Sequence, residues 1–338
     1  MLSSTHLQLF AIHISDGYLS VPWIVGGFVA TGLIVSIALL VERWKTARSG
    51  EPISEQEIAW TGVMTAAFFV ATMIRVPIAP TTTVHLLFNG LLGVILRWRA
   101  ALAILVGLLI QAALLGHGGF LSLGVNYCVM VLPAMMAWGS FEGLRRLPFV
   151  RRPWFRGALV VLSVGAWVLC IGYGIVLALQ MTFQITPNAF VHFGIGAGAL
   201  LVSLVASVLE PKLQNAPEFP LGLFLGTTTV LLTMVCHCAA LILGRSSEGL
   251  QIAAAASFVA HLPVAAIEGV VVGSTLGFLT KVKPELLGWK RPNLEENEAA
   301  REVPELGLGI NDSFPAVEDP SREDYNPTGN TSSSVTSH

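Results

Sequence analysis

Nine apolar stretches, most of them long enough to cross a bilayer as helices, follow one another along this 338-residue chain. They cover residues 22–42, 58–75, 83–97, 100–116, 122–144, 158–182, 188–209, 219–243 and 251–280. A helix rises about 1.5 Å per residue, so about 20 apolar residues span the ~30 Å hydrocarbon layer. The third and fourth stretches are short, and a tilted, re-entrant or protein-buried path is expected there. Only 12% of the residues are charged, about half the share of a soluble domain. That excludes an ordinary soluble globule, a disordered chain and a nucleic-acid binder. The expected fold is an all-α, polytopic integral membrane helix bundle of about nine transmembrane helices.

Charge is unevenly placed. Ten of the 21 acidic residues lie after Trp289, between Glu295 and Asp324, together with four of the 19 Lys and Arg. Residues 1–289 thus hold 15 bases against 11 acids, a net +4, and the rest is −6, which gives the −2 of the whole chain. Residues 289–338 are too polar to bury a core and are expected to form a disordered acidic tail. Residues 12–288 make the expected membrane domain, and 1–11 a leader or N-terminal extension. Lys and Arg concentrate in short cytoplasmic loops. With the N-terminus outside, the loops facing the cytoplasm hold 15 of them, from Arg43 to Arg291, and the outer loops only Arg75 and Arg245. This split fits nine crossings with the C-terminus cytoplasmic; one helix more or fewer scrambles it.

Several chemistries lack their sequence signature. No GxxxxGK[ST] occurs, so the chain cannot bind ATP through a P-loop, and any ATP-driven step needs another subunit. HExxH and GxSxG are absent as well, which disfavours a zinc hydrolase or a serine hydrolase. The four cysteines form no CxxC pair. In Cys236-His237-Cys238, positions i and i+2 of a helix point about 200° apart. These residues read as small side chains on a helix surface, and His192 and His237 as helix-packing histidines.

The expected topology gathers three polar patches on the outer side. They are Ile12-His13-Ile14-Ser15-Asp16-Gly17-Tyr18-Leu19, the loop from Val76 to His85, and Gly116-His117-Gly118-Gly119. Each carries one histidine, and imidazole is the usual ligand of Zn, Cu, Ni and Co. Pro77 and Pro80 stiffen the loop ahead of His85, because each fixes φ. The Gly-rich patch reads as a helix end and turn, with a metal contact through His117 as the other reading. Asp16-Gly17 reads as a turn that directs the N-terminal segment, a carboxylate ligand being the alternative.

The string His13-Ile-Ser-Asp-Gly-Tyr-Leu resembles the N-terminal motif of CbiM and NikM, the substrate-capture components of energy-coupling factor transporters for cobalt and nickel. Four further stretches look similar and keep the family's order. They are Thr82-Thr83-Val84-His85, His117-Gly118-Gly119 with Leu123-Gly124-Val125-Asn126, His261 through Glu268-Gly269, and Lys281 through Leu287. The resemblance implies capture of cobalt first and nickel second, at the prokaryotic cell membrane, by a component without catalytic chemistry. It implies docking to a transmembrane coupling protein and a pair of ATPases. It also implies a chelate: the N-terminal amine, the next amide and that residue's imidazole, closed by a histidine from the loop before the third helix. Carried over, the donors are the nitrogen of Ile12, the amide and ring of His13, and His85, a nitrogen set that suits Ni(II) and Co(II) better than Mg or Ca. Asp16, Thr82, Thr83, His117 and Asn126 surround that set. Here eleven residues precede Ile12, and an internal peptide nitrogen is no amine. The chelate therefore expects cleavage after Ala11 or a later start.

Two features belong to the last span. Glu268 lies within an apolar helix, where a charge costs at least about 2.5 kcal/mol. It is expected to pair with a polar neighbour or face a partner subunit; His261, two turns earlier, shares its side of the helix. Gly269, Gly273 and Gly277 recur every four residues and let another helix approach closely, either from this chain or from the coupling protein. An intramembrane metalloenzyme and an ATP-independent secondary transporter are the competing readings, the latter without the inverted repeats such proteins often show.

Overall fold

The computed structural model describes residues 13–74, 76–79, 82–213, 216–244 and 248–289. The expected leader, Ile12 and residues 290–338 of the expected tail lie outside the described residues. Within the described residues the helices are α1 (Val21–Ser49), α2 (Glu55–Met73), α3 (Asn89–Leu96), α4 (Arg99–Leu115), α5 (Leu123–Leu144), α6 (Pro153–Phe183), α7 (Ala189–Leu213), α8 (Phe219–Gly244) and α9 (Glu248–Val282). Six of them, α1 and α5 to α9, are long and apolar enough to cross a membrane. The chain is therefore the polytopic helical membrane protein expected, with one addition. A short antiparallel hairpin, β1 (Val76–Ala79) and β2 (Thr82–Val84), precedes α3.

Local signals explain the helix ends. Pro22 and Pro153 sit in the first turns of α1 and α6, where a missing N–H costs nothing. Ser54 caps α2 by accepting from the Glu57 amide at 3.2 Å, and Gly50 ends α1 in the left-handed region at φ 72°.

The third stretch departs from the expectation of one helix over 83–97. It runs as strand to Val84, continues without regular structure through residues 85–88, and turns helical only at Asn89. Eight helical residues rise about 12 Å, well short of the ~30 Å layer. Phe88 enters α3 at φ 52° and Arg97 leaves it at φ 56°, positions that cost a non-glycine residue about 1–2 kcal/mol each. The physical reason is tertiary. α3 is buried on all sides, and its non-helical approach is hydrogen-bonded by other helices.

Helices meet through small residues. Gly27 of α1 and Gly124 of α5 touch backbone to backbone: a Cβ on Gly124 would lie 2.6 Å from the Gly27 carbonyl carbon. Gly269 and Gly273 of α9 face Gly226 and Gly222 of α8, and Gly277 faces Ala216. The glycine line thus packs against this chain's own eighth helix rather than offering a face to another subunit. Gly93 of α3 lies against the Ala134 carbonyl of α5.

The two ends of the bundle differ. At one, Arg99 bridges Glu42 and Glu57, Arg151 bridges Glu218 and stacks on Trp289, and Gly288 lies between Arg97 and Arg145. At the other, the Ser20 amide donates to the Gly244 carbonyl at 3.2 Å, tying the start of α1 to the end of α8. The basic end is the one the loop charges assign to the cytoplasm.

Candidate metal centre

The segment ahead of α1 is strapped onto the start of α5. Asn126 grips the backbone of Ile14 from both sides. Its Oδ1 accepts from the Ile14 amide at 2.8 Å, and its Nδ2 donates to the Ile14 carbonyl at 2.9 Å. Ser122 Oγ donates its one proton to that carbonyl at 2.5 Å and lies 3.1 Å from Asp16 Oδ1, while the Ser122 amide donates to the same Asp16 oxygen at 2.9 Å. Gly119 has to be glycine here, since a Cβ would overlap the Asp16 carboxyl. Asp16 therefore anchors the strap, and it is absent from the donor cluster described next. Asn126 holds the backbone beside a donor histidine rather than an imidazole ring or another helix's side chain.

This strap delivers His13 into the bundle, where it is buried. Gly116 and Gly118, both at positive φ, turn the α4–α5 loop so that His117 meets it. His85 arrives from the broken third stretch and is also buried. The rings of His13 and His85 stack at 5.2 Å, and His117 meets them edge-on at 4.8 and 5.6 Å. One nitrogen from each of the three lies within 4.8 Å of the others. Three imidazoles so placed can share one transition-metal ion. The sequence places all three on one side of the membrane, and the structure brings them together. Ile12 lies outside the described residues, so the amine of the chelate does too.

The environment favours neutral, ligating imidazoles. Burial first, then the neighbouring His117, His85, His237 and His261, holds His13 well below the ordinary histidine range. His13 Nε2 is buried and has no hydrogen-bond partner among the described residues. His85 Nδ1 lies 3.0 Å from the Leu86 carbonyl. A carbonyl only accepts, which puts the proton on Nδ1 and makes Nε2 the nitrogen that can ligate.

Glu268 explains how the chain reaches this point. Its carboxyl accepts from the amides of Leu87 and Phe88, two of the three residues that lead from His85 into α3. It thus pairs with main chain of the same molecule. Asn89 secures the next turn by donating from Nδ2 to the Met130 carbonyl at 3.0 Å and to Thr233 Oγ1 at 2.9 Å. Thr82 and Thr83 pair through the backbone with Ala79 and Pro77. Their place is to shape the loop ahead of His85.

Two further histidines surround the centre. His261 of α9 faces His85, ring centres 6.3 Å apart. His237 of α8, read from sequence as a packing residue, is buried and contributes to the electrostatics at His13. For His261 the linear signals were its two-turn spacing from Glu268 and its place in the family-like stretch that runs to Gly269. For His237 the Cys236-His237-Cys238 string marked no cluster, because positions two apart leave a helix on different sides.

A family model described as "Cobalt uptake substrate-specific transmembrane region" (CbiM) matches residues 13–195 and 155–286. A "Putative metal transport protein" of Haemophilus influenzae is 37% identical over 131 residues, 39% of this chain and 58% of that protein. A "Putative cobalt transport protein CbiM" of Halobacterium salinarum is 31% identical over 154 residues, 44% of this chain and 66% of its own length. These alignments thus span only about two thirds or less of each relative. A crystal structure of a transition metal transporter is 20% identical, covers 86% of this chain and 98% of its own, and superposes with a TM-score of 0.46.

Proposed function

The chain belongs to the CbiM family of cobalt uptake substrate-specific transmembrane regions, and from that premise we propose that it captures a divalent transition-metal ion, cobalt first and nickel second, from the outer side of a prokaryotic membrane. It is a multi-pass transporter component and not an enzyme. The convergence of His13, His85 and His117 to within 4.8 Å carries the proposal. Burial strips competing water from the donors, and neutral nitrogen ligands select transition metals over the more abundant Mg and Ca. With cleavage before Ile12, the new amine and the His13 amide would join the rings of His13 and His85 as a four-nitrogen set, with His117 beside it.

Release inward needs energy the chain does not supply, since it has no P-loop. A transmembrane coupling protein and two ATPase subunits are the proposed partners, and cobalt so delivered would serve cobalamin synthesis. Calorimetric titration of the purified protein with Co2+ tests the capture site. His85→Ala should abolish binding and His13→Ala should weaken it by up to about 100-fold, and unchanged affinity in both variants refutes the assignment. ATP-dependent uptake in vesicles only when partners are co-expressed separates this mechanism from a secondary transporter.

A further inference from the structure

The hydrogen bonds sort four of the five clustered histidines into two groups. His13 on the strap and His117 on the α4–α5 loop make the outer group. Ile14, the residue after His13, is fastened to Asn126 and Ser122, and Gly119, two residues after His117, donates to the Ile14 carbonyl at 3.4 Å and to Ser122 Oγ at 3.1 Å. His85 belongs to an inner group. Glu268 of α9 holds the amides of Leu87 and Phe88, and Asn89 is fixed to α5 and α8. His261 sits on the same helix as Glu268, two turns before it, so α9 carries both the clamp on the His85 segment and the ring facing His85 at 6.3 Å.

His261 is prepared as a donor. It is fully buried. Its Nδ1 lies 2.8 Å from the Ser257 carbonyl one turn back, so Nδ1 carries the proton and Nε2 the lone pair. That Nε2 is buried and has no hydrogen-bond partner among the described residues. A buried polar atom without a partner costs free energy, and a position that only packed against its neighbours would be filled more stably by an apolar side chain.

We infer that His85 and His261 form a second, inner binding station for the transported ion. This rests on the capture reading and extends it. The ion reaches the inner station by ligand exchange: His85 keeps its nitrogen on the metal, the nitrogens of His13 and His117 leave, and Nε2 of His261 enters. The donors are neutral imidazoles on both sides of the exchange, so charge balances and no oxidant, reductant or proton is needed. Because both stations use His85, they are occupied alternately. Lifting the strap off α5 removes His13 and the bond of Gly119 to Ile14 that steadies the His117 loop, and it leaves His85 with His261, which makes the handover directional. On α9 the path continues from His261 toward Glu268, about 10 Å nearer the basic end of the bundle.

The test uses full-length purified protein titrated with Co2+, read by calorimetry and by the visible d–d spectrum, which reports the donors. His261→Asn keeps an N–H for the Ser257 carbonyl and removes only the inner donor. Alone it should leave capture affinity close to wild type. In a His13→Ala/His117→Ala background, weakened Co2+ binding should persist, on the order of 100-fold below wild type, and adding His261→Asn should lower it by at least about tenfold more. Equal affinity of that background with and without His261, or no binding by it at all, overturns the inner station. A background that binds as tightly as wild type refutes the capture reading instead, and the added effect of His261→Asn still decides the inner one. Retained thermal melts in each variant exclude unfolding as the cause.

Discussion

Replacing Glu268 by Ala removes the acceptor of two main-chain amides, Leu87 and Phe88, at a depth where no lipid group can take its place. Each buried donor left unsatisfied costs about 1–3 kcal/mol, and more when the lost acceptor is charged. Two such donors give about 2–6 kcal/mol. The carboxyl also sits at the N-terminus of α3, where the helix dipole favours negative charge by roughly 0.3–1 kcal/mol. For a body of this size, 1 kcal/mol moves the melting temperature by roughly 2–4 °C, so Glu268→Ala should melt at least about 4–12 °C below wild type. Because the freed segment carries His85, Co2+ affinity should fall as well, by about 10–100-fold. Glu268→Gln retains one carbonyl oxygen for the same amides and should keep most of both properties. Differential scanning fluorimetry with and without Co2+ reads both quantities in detergent. An Ala variant with wild-type melting and wild-type metal shift would refute the idea that Glu268 holds the third crossing. Equal damage from Ala and Gln would instead make charge its contribution.

Asn126→Ala removes both bonds to Ile14 and should weaken Co2+ binding about 10–100-fold, and the one buried amide left without an acceptor should lower melting by at least about 2–6 °C; calorimetry beside a melt checks both. Gly93→Ala places a Cβ 2.0 Å from the Ala134 carbonyl oxygen, whereas Gly26→Ala meets nothing within 4 Å. The first should lose roughly 1–3 kcal/mol or more by overpacking and the second almost nothing, as yields of folded protein and melting curves will report. Mass spectrometry of the mature protein should find an N-terminus at Ile12; an intact Met1 would remove the amine from the proposed chelate and leave the imidazoles to bind alone.

Long apolar runs were legible because hydropathy needs no tertiary knowledge. Eight of the nine expected stretches carry a helix of about the expected extent, and the 15-to-2 loop charges agree with the basic end of the bundle. The third stretch, residues 83–97, misled because an apolar run has the same composition whether it is helical or extended. What breaks it lies 180 residues away, in Glu268. The imidazoles of His13, His85 and His117 were legible as a set, since topology alone put them on one side. His237 and His261 were harder, because which face a uniformly apolar helix turns inward is decided by its neighbours. Asn126 was recognised as a polar group near the centre, but its partner is a main-chain unit, and main-chain partners leave no mark in a sequence.

The broken third crossing and the metal centre are one design problem. A continuous helix over 83–97 would satisfy its own backbone and keep each side chain radial to its axis. His85 would then point into whichever neighbour faced that turn, with its ring nitrogens fixed by helix packing. Non-helical backbone through residues 85–88 instead lets the ring stack on His13 while its own Nδ1 is held by the next carbonyl. That geometry exposes amides no helix would leave unpaired, and the buried carboxyl of Glu268 takes them up. A buried acid that is costly by itself is therefore accounted for by the donors it satisfies. His85, the non-helical segment and Glu268 form one unit, and changing any one of them should disturb metal capture before it disturbs the rest of the bundle.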